Sequence, residues 1–185
     1  MNGGIIKNNP MSDTNILEKF KAIKTFIFDM DGVLTDGSLL ILNDGEWLRK
    51  MDIKDGYSMH VAANHGYRMA VISGSTSQAS KARLLHLGVK DVFMKVADKR
   101  KLLESYIEEH HLNADEVLFI GDDIPDYDCM DVVGLSCCPA DAVNELKQIV
   151  KYVSPFNGGH GCVRDVVEKV LKLNGNWPLQ SHPNL

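Results

Sequence analysis

Short apolar runs alternate with longer segments of helical periodicity along most of the chain. The runs that predict buried strands lie at residues 24–29, 67–72, 91–94 and 116–120, with a weaker run at 134–138 and an edge strand at 152–153. The segments that predict helices lie at residues 56–65, 76–87, 99–111, 124–132, 141–149 and 161–174. The strand runs do not alternate between polar and apolar residues, which indicates burial on both faces. The pattern therefore predicts an α/β fold, with a doubly wound, mostly parallel sheet of Rossmann-like type covered by helices.

One insertion interrupts this alternation between the first strand and the first helix. Residues 38–51 contain two strand-like runs around Asn43-Asp44-Gly45, which is a strong signal for a β-hairpin. The insertion is too small to form a large cap over the sheet. Because both ends of the chain are polar, we expect a flexible N-terminal segment at residues 1–18, a single domain at 19–175 and a tail at 176–185.

Composition and charge exclude several classes of protein. Lys and Arg number 20 against 25 Asp and Glu, which gives a formal net charge of −5. An acidic chain is poorly suited to bind nucleic acid through its phosphates, and no apolar run approaches the roughly 20 residues that span a bilayer. The 4 cysteines show neither a CxxC pair nor the spacing of a zinc site. We therefore expect free thiols, a cytoplasmic location, and no nucleic-acid or membrane partner.

Polar side chains follow the predicted strands at one edge of the sheet. Asp29 and Asp31 follow the first strand, Ser73 follows the second and Asp122 the fourth, while Lys99 opens the helix after the third. Ligands of doubly wound sheets bind at the carboxyl ends of the strands, so these side chains can meet. One aspartate can act as nucleophile and its neighbour in proton transfer, while a hydroxyl and a lysine bind phosphoryl oxygens and the carboxylates hold Mg²⁺. The set predicts phosphoryl transfer through an aspartyl phosphate.

Three other interpretations compete with this hypothesis. Asp, Gly and Ser are common in turns after strands, although clusters at successive strand ends are harder to explain in that way. A receiver domain also combines a doubly wound sheet with an acceptor aspartate, an acidic pair and a lysine. Its acidic pair precedes the acceptor strand, whereas here Asp29 and Asp31 come first and Asp122 comes late. A non-catalytic domain kept for oligomerisation would not need this set of residues intact.

The sequence around these residues resembles the haloacid dehalogenase superfamily of phosphatases. Residues 28–35 (FDMDGVLT) match its first motif, and Ser73, Lys99 and residues 121–126 (GDDIPD) match the other three in order. Further similarity narrows the match to a small branch without a large cap that hydrolyses sugar-acid phosphates. The segments that carry this narrower similarity are residues 32–37, 54–57 and 158–165.

The resemblance implies a role for each matched residue and makes residues 19–175 a catalytic domain. The implied catalytic residues are Asp29, Asp31, Ser73 and Lys99. The implied ligands of the Mg²⁺ cofactor are Asp29, Asp31 and Asp122. The implied substrate-binding residues are Asp31, Asp52, Ile53, Lys54, Asp55, Gly56, His60, Gly74, Ser75, Arg83 and Lys99. Asp29 would be the nucleophile, and Asp31 would be the general acid and base and would bind the metal through its backbone carbonyl.

Three positions depart from the pattern of that branch. The branch usually has Arg at the position of Ser75, often Lys or Arg at His60, and Arg or Lys at His160. The resemblance implies 3-deoxy-D-manno-octulosonate 8-phosphate, a precursor of lipopolysaccharide, as the substrate. Ser75 and His60 keep a second substrate open, a nine-carbon sialic-type acid 9-phosphate, because serine cannot replace the bidentate anion contact of arginine.

The hairpin insertion also bears on assembly. Residues 39–42 and Trp47 present more apolar surface than a two-stranded ribbon can bury alone. The resembling branch forms tetramers by closing several hairpins together. We therefore expect a homotetramer in which residues near the site come from two chains, with residues 158–161 and the tail reaching across.

Overall fold

The computed structural model of the protein describes residues 13–178. The strands in this range are β1 (Thr25–Phe28), β2 (Leu40–Ile41), β3 (Trp47–Leu48), β4 (Arg68–Ile72), β5 (Asp91–Phe93), β6 (Val117–Ile120), β7 (Leu135–Cys138) and β8 (Tyr152–Val153). Six of them form one parallel sheet in the order β5-β4-β1-β6-β7-β8. The order reverses at β1, so the sheet is doubly wound, as predicted, and β1 lies between β4 and β6.

Helices cover both faces of this sheet. The helices are α1 (Asp13–Ala22), α2 (Ile53–Asn64), α3 (Gln78–His86), α4 (Lys99–Glu109), α5 (Asn144–Ile149) and α6 (Cys162–Leu173), with 3₁₀ turns at Ala114–Glu116 and Ile124–Cys129. Alternate residues of β1 point to opposite faces. Phe26 and Phe28 pack in the core with α1, α2 and α6, whereas Ile27 packs in the core with α4 and α5. Both cores are fully buried at β1, which explains why residues 26–28 are all apolar.

The predicted hairpin is present and stands away from the main sheet. β2 and β3 pair antiparallel, with Leu40 opposite Leu48 and Ile41 opposite Trp47. A single antiparallel bridge between Thr35 and Met51 closes the base of the insertion. All four strand residues are exposed, including Ile41 at 65% and Trp47 at 58%. Within residues 13–178 no larger insertion covers the carboxyl edge of the sheet.

The ends of two elements differ from the prediction. The predicted N-terminal segment overlaps α1, since residues 13–18 belong to this helix and Ile16 packs against the core that contains Phe20. Helix α2 begins at Ile53 and not at Gly56, because the Asp52 carboxylate accepts hydrogen bonds from the amides of Lys54 and Asp55 and so caps an earlier start.

Parts of the predicted terminal segments lie outside the described residues, namely residues 1–12 and 179–185. The described start of the tail is packed, since the Trp177 ring meets the Tyr57 ring edge-on and lies under the Arg164 guanidinium. In the range from 13 to 178, every helix is too short or too polar to cross a bilayer.

Candidate active site

Three strand ends and one helix start open onto a single cleft at the carboxyl edge of the sheet. Asp29 and Asp31 follow β1, Ser73 follows β4, Asp122 follows β6, and Lys99 is the first residue of α4. All five line a cleft of about 510 Å³. The other lining residues are Gly37, Gly74, Ser75, Val96, Ala97, Asp123, Pro125 and Asp126. The structure therefore brings together every residue that the sequence assigns to catalysis or to the metal.

The Lys99 ammonium holds two carboxylates at once. Its Nζ lies 2.8 Å from Asp29 Oδ1 and donates a hydrogen bond of 2.7 Å to Asp126 Oδ1. The three side chains are 9%, 8% and 1% exposed for Lys99, Asp29 and Asp126, so solvent screens these contacts weakly. Burial alone would lower the pKa of Lys99, but the charges of Asp29 and Asp126 outweigh burial and raise it. Lys99 therefore carries a full positive charge next to Asp29.

The cleft holds more negative charge than the single ammonium of Lys99 can neutralise. Oxygens of Asp29, Asp122 and Asp126 all lie within 4.8 Å of one another. Burial, followed by the charge of Asp126, raises the pKa of Asp29 to about 7. Burial, followed by the charges of Asp29 and Asp126, raises the pKa of Asp122 to about 8. A divalent cation would relieve this repulsion, and a donor set made only of oxygen is the set that Mg²⁺ prefers.

Asp126 is occupied by other partners, which leaves Asp29 and Asp122 as the side chains that fit the metal. Besides Lys99, Asp126 accepts hydrogen bonds from the amides of Asp122 at 3.1 Å and Asp123 at 3.5 Å. It thereby fixes the turn that carries Asp122. On the opposite side Gly32 (φ +87°) faces Asp122, and a Cβ at Gly32 would lie 2.0 Å from Asp122 Oδ2. The residue at position 32 must therefore be glycine for Asp122 to enter the cleft.

Two serines shape the turn after β4. Ser73 is 1% exposed and its Oγ accepts a hydrogen bond of 3.1 Å from the amide of Ser75. The Ser75 Oγ accepts one of 3.2 Å from the amide of Ser77, the residue that caps α3. In both contacts the hydroxyl acts as acceptor, so each keeps its own proton to donate to a phosphoryl oxygen in the cleft.

Arg49 contacts Asp31, and the sequence pattern did not indicate this contact. Arg49 Nε donates to Asp31 Oδ1 at 2.7 Å, and Arg49 Nη2 donates to Asp31 Oδ2 at 3.0 Å. Arg49 directly follows β3, so the hairpin brings it to the turn after β1. The available signal was the pair of cations at the end of the insertion, Arg49 and Lys50, which has no fixed spacing from the motif that Arg49 meets.

The structure does not bring the predicted substrate-binding residues together within one chain. Only Asp31, Gly74, Ser75 and Lys99 of that set line the catalytic cleft. A separate groove of about 270 Å³ between α2 and α3 is lined by Ile53, Gly56, His60 and Arg83. A third groove, of about 600 Å³ beside α6, is lined by Asp52 and Lys54 together with His160.

Asp55 lies in none of these grooves. It is 1% exposed, and its carboxylate accepts hydrogen bonds from the amides of Gly161 at 3.2 Å and Arg164 at 2.7 Å. Burial raises the pKa of Asp55 to about 6, and its amide partners oppose this shift. Its contacts are those of a cap on the first turn of α6.

The first two residues of the turn at 158–161 pack against the loop at residues 32–36, which follows β1 in the same chain. The sequence predicts that this turn reaches across to a neighbouring chain. The amide of Gly159 donates to the Val33 carbonyl at 2.9 Å. A Cβ at Gly158 would lie 1.8 Å from the Gly32 carbonyl oxygen, so the two backbone segments touch directly. Gly158 and Gly159 therefore pack beneath residues 32–36 of the same chain, and a contact of residues 158–161 with a neighbouring chain stays a prediction.

Comparison with known proteins places this geometry in a family. A family model described as haloacid dehalogenase-like hydrolase matches residues 72–165. The 3-deoxy-D-manno-octulosonate 8-phosphate phosphatase of Salmonella typhi is 32% identical over 162 residues, covering 88% of this chain and 86% of that protein. The corresponding phosphatase of Escherichia coli K12 is 31% identical over 161 residues, covering 87% of this chain and 86% of that protein.

A solved structure shows the same fold with ligands bound. The 3-deoxy-D-manno-octulosonate 8-phosphate phosphatase of Moraxella catarrhalis, in complex with a magnesium ion, a phosphate ion and KDO, superposes with a TM-score of 0.85. It is 27% identical in sequence, and the match covers 89% of this chain and 94% of that one. The four matched motifs, the doubly wound sheet and these similarities agree, and the chain belongs to the haloacid dehalogenase-like hydrolase family, in the branch that contains these phosphatases.

Proposed function

We propose that the protein is a Mg²⁺-dependent phosphatase that hydrolyses 3-deoxy-D-manno-octulosonate 8-phosphate through an aspartyl phosphate on Asp29. The observation that carries this proposal is the convergence of Asp29, Asp122 and Lys99 in one cleft, with Lys99 Nζ 2.8 Å from Asp29 Oδ1. The same arrangement gives a nucleophile, a pair of oxygen ligands for a cation, and a positive charge for the phosphoryl oxygens.

In the first half of the reaction the Asp29 carboxylate attacks phosphorus. A bond forms between the Asp29 oxygen and phosphorus while the bond from phosphorus to the sugar oxygen breaks. Protonated Asp31, which lines the same cleft, gives its proton to the departing sugar oxygen. Lys99 and the Ser73 hydroxyl donate hydrogen bonds to the phosphoryl oxygens. A bound Mg²⁺ would supply further positive charge to these oxygens and would favour the ionised form of Asp29.

In the second half the aspartyl phosphate is hydrolysed. The Asp31 carboxylate takes a proton from water as the water oxygen attacks phosphorus. The bond between phosphorus and Asp29 breaks, and inorganic phosphate leaves with the carboxylate of Asp29 restored. Asp31 is protonated again and ready for the next cycle.

The choice of substrate is supported by the similarity to phosphatases of one sugar acid in several bacteria. These relatives do not favour the nine-carbon 9-phosphate alternative. The experiment is a comparison of phosphate release from 3-deoxy-D-manno-octulosonate 8-phosphate, a sialic acid 9-phosphate and a simple hexose phosphate, each with Mg²⁺ and with excess EDTA. We expect kcat/KM for the first substrate to be at least about tenfold above the others. Full activity in EDTA would refute the metal dependence, and equal turnover of all esters would refute the assignment of the substrate.

We also propose that the active form is a homotetramer in which the hairpins meet. Two observations support it: Leu40, Ile41, Trp47 and Leu48 are all at least 44% exposed, and the predicted substrate-binding residues of one chain do not share its cleft. A second copy that packs on the hairpin could carry its own α2 residues to the open side of the cleft.

Light scattering tests this assembly with two charge substitutions. Trp47→Glu should lower the molecular mass and raise KM for the sugar phosphate. Leu17→Glu on α1, at a site of similar exposure (49%), is the matched control and should change neither. A wild-type monomer with full activity would contradict the proposal.

A cytoplasmic location is proposed on the state of the cysteines. Cys129, Cys137, Cys138 and Cys162 are all free and buried, which suits a reducing compartment. Titration with a thiol reagent should find four reactive groups after unfolding and almost none before it. Fewer than four thiols in the unfolded protein would indicate a disulfide and argue against this location.

A further inference from the structure

We propose that Arg49 is a positioning residue for Asp31, whose carboxylate it holds in one orientation at the mouth of the cleft. The inference rests on the proposed function, because it assigns Arg49 a role in the proton transfer that Asp31 performs. It connects the hairpin insertion to the chemistry through one ion pair.

The contact has the geometry that fixes a carboxylate in a plane. Two parallel hydrogen bonds, of 2.7 Å from Nε and 3.0 Å from Nη2, engage the two oxygens of Asp31 separately. A bidentate pair of this kind constrains the rotation of the carboxylate as well as its position. The Thr35 hydroxyl adds a longer hydrogen bond of 3.4 Å to Asp31 Oδ1.

Burial shows that Arg49 acts through Asp31. The side chain of Arg49 is 9% exposed, whereas that of Asp31 is 39% exposed. Asp31 lines the catalytic cleft, and Arg49 is absent from its lining. The guanidinium therefore contacts Asp31 from outside the set of residues that line the cleft.

The described residues 13–178 offer no second cation to pair with Asp31. Lys99 also lines the cleft, but its ammonium is shared by Asp29 and Asp126. Among residues 13–178, Arg49 is the only charged partner of Asp31 within 4.0 Å. Without Arg49 the partly exposed Asp31 side chain would sample several rotamers. Proton transfer to the leaving oxygen requires a contact of about 3 Å, so only some of these rotamers would be productive.

The base of the hairpin places Arg49 next to Asp31. Arg49 directly follows β3, and the bridge between Thr35 and Met51 fixes the chain two residues further on. Thr35 is fully buried and follows Asp31 on the same loop. The base of the insertion and the acid–base residue therefore form one packed unit.

The test uses the leaving group to separate proton transfer from a loss of structure. We would measure kcat/KM, which reports the step up to departure of the leaving group, for the sugar phosphate and for p-nitrophenyl phosphate. A sugar alkoxide must be protonated as it leaves, whereas p-nitrophenolate leaves without a proton. In Arg49→Met we expect at least about a tenfold fall for the sugar phosphate and less than about a threefold fall for the aryl ester.

Further variants keep the inference open to refutation. Arg49→Lys retains the charge but cannot donate two parallel hydrogen bonds. Its kcat/KM should therefore fall more for the sugar phosphate than for the aryl ester, in the same ratio as in Arg49→Met but by smaller factors. This variant provides the test if Arg49→Met does not fold. Lys24→Met removes an exposed pair with Glu116 at the other end of β1 and should leave both constants unchanged.

Equal falls for the two esters, or a change confined to KM, would overturn the role of Arg49. A wild-type protein that releases phosphate from neither ester would instead refute the proposed function. The two failures are therefore distinguishable.

Discussion

Replacing Asp55 with alanine distinguishes a structural role from a substrate contact. Asp55 lies in the first turn of α2, yet its two oxygens accept the amide protons of Gly161 and Arg164 at the start of α6. The first amides of a helix have no partner within the helix. α6 starts at a glycine that has no side-chain cap of its own, so Asp55 supplies the cap from a distant part of the chain.

The magnitude follows from the two amides that lose their acceptor. Each hydrogen bond to a charged acceptor contributes roughly 1.5 kcal/mol or more, and relief from burying the carboxylate offsets part of the loss. We expect Asp55→Ala to lower the free energy of unfolding by about 2–3 kcal/mol, which for a domain of this size lowers Tm by roughly 4–12 °C.

Urea unfolding and steady-state kinetics together test this reasoning. The fraction that remains folded should keep KM for the sugar phosphate within about twofold of wild type, because Asp55 is buried away from the cleft. Asp52→Ala is the matched control: it removes a cap from α2 itself and should cost about 1 kcal/mol. Unchanged stability with a large rise in KM would show that Asp55 binds substrate and would refute the capping role.

The same residue gives a signed dependence on pH. Burial raises the pKa of Asp55 from 3.8 to about 6, so between these values the folded protein holds a proton that the unfolded chain has lost. The stability that wild type derives from protonated Asp55 is therefore lost as pH rises from about 4 to about 6, by at most ~3 kcal/mol. Asp55→Asn does not titrate, so the advantage of wild type over this variant should shrink across that window. An advantage that grows with pH would mean that the α6 amides stabilise the charge more than burial penalises it.

Three further substitutions test the site and its loop. Asp29→Asn should lower kcat below about 1% of wild type with an unchanged circular dichroism spectrum, since an amide cannot form the aspartyl phosphate, and higher residual turnover would remove the nucleophile role. Gly32→Ala should weaken Mg²⁺ binding at least about tenfold by calorimetry, because its Cβ would lie 2.0 Å from Asp122, and wild-type affinity would contradict this placement. Lys95→Gly should raise the free energy of unfolding by about 0.5 kcal/mol in urea, because Lys95 next to the cleft has φ +60°, a conformation that glycine adopts at lower cost. A loss of stability would show that the Lys95 side chain contributes more than its backbone conformation costs.

The catalytic half of the site was predictable because parallel strands impose its geometry. Each buried run predicts a strand, and the residue after each strand must lie at the carboxyl edge of the sheet. Asp29, Ser73 and Asp122 are placed by this rule alone, and Lys99 by its position at the start of α4. An error of one or two residues in a predicted strand end does not change this placement. β4 and β6 both pair in parallel with β1, so the three strands end at the same edge of the sheet.

The other half depends on contacts between segments far apart in sequence, and no periodicity encodes them. Asp55 meets the start of α6 across 106 and 109 residues, so its position in a motif did not reveal whether it caps a helix or binds a ligand. The early start of α2 was a different kind of error. The Asp52 cap was readable in the sequence, because Asp is a favoured residue at the N-cap of a helix.

The hairpin shows why an insertion can be recognised without its role being understood. Each of its strands has two residues, which is too little to be stable alone in water. Its conformation must therefore come from the base, where Thr35 pairs with Met51 and Arg49 pairs with Asp31. The same contacts that hold the hairpin in place also hold the Asp31 carboxylate. In the proposed tetramer, a neighbour that packs on the exposed tip would steady this base, so the proposed assembly would support the proposed role of Arg49 at Asp31.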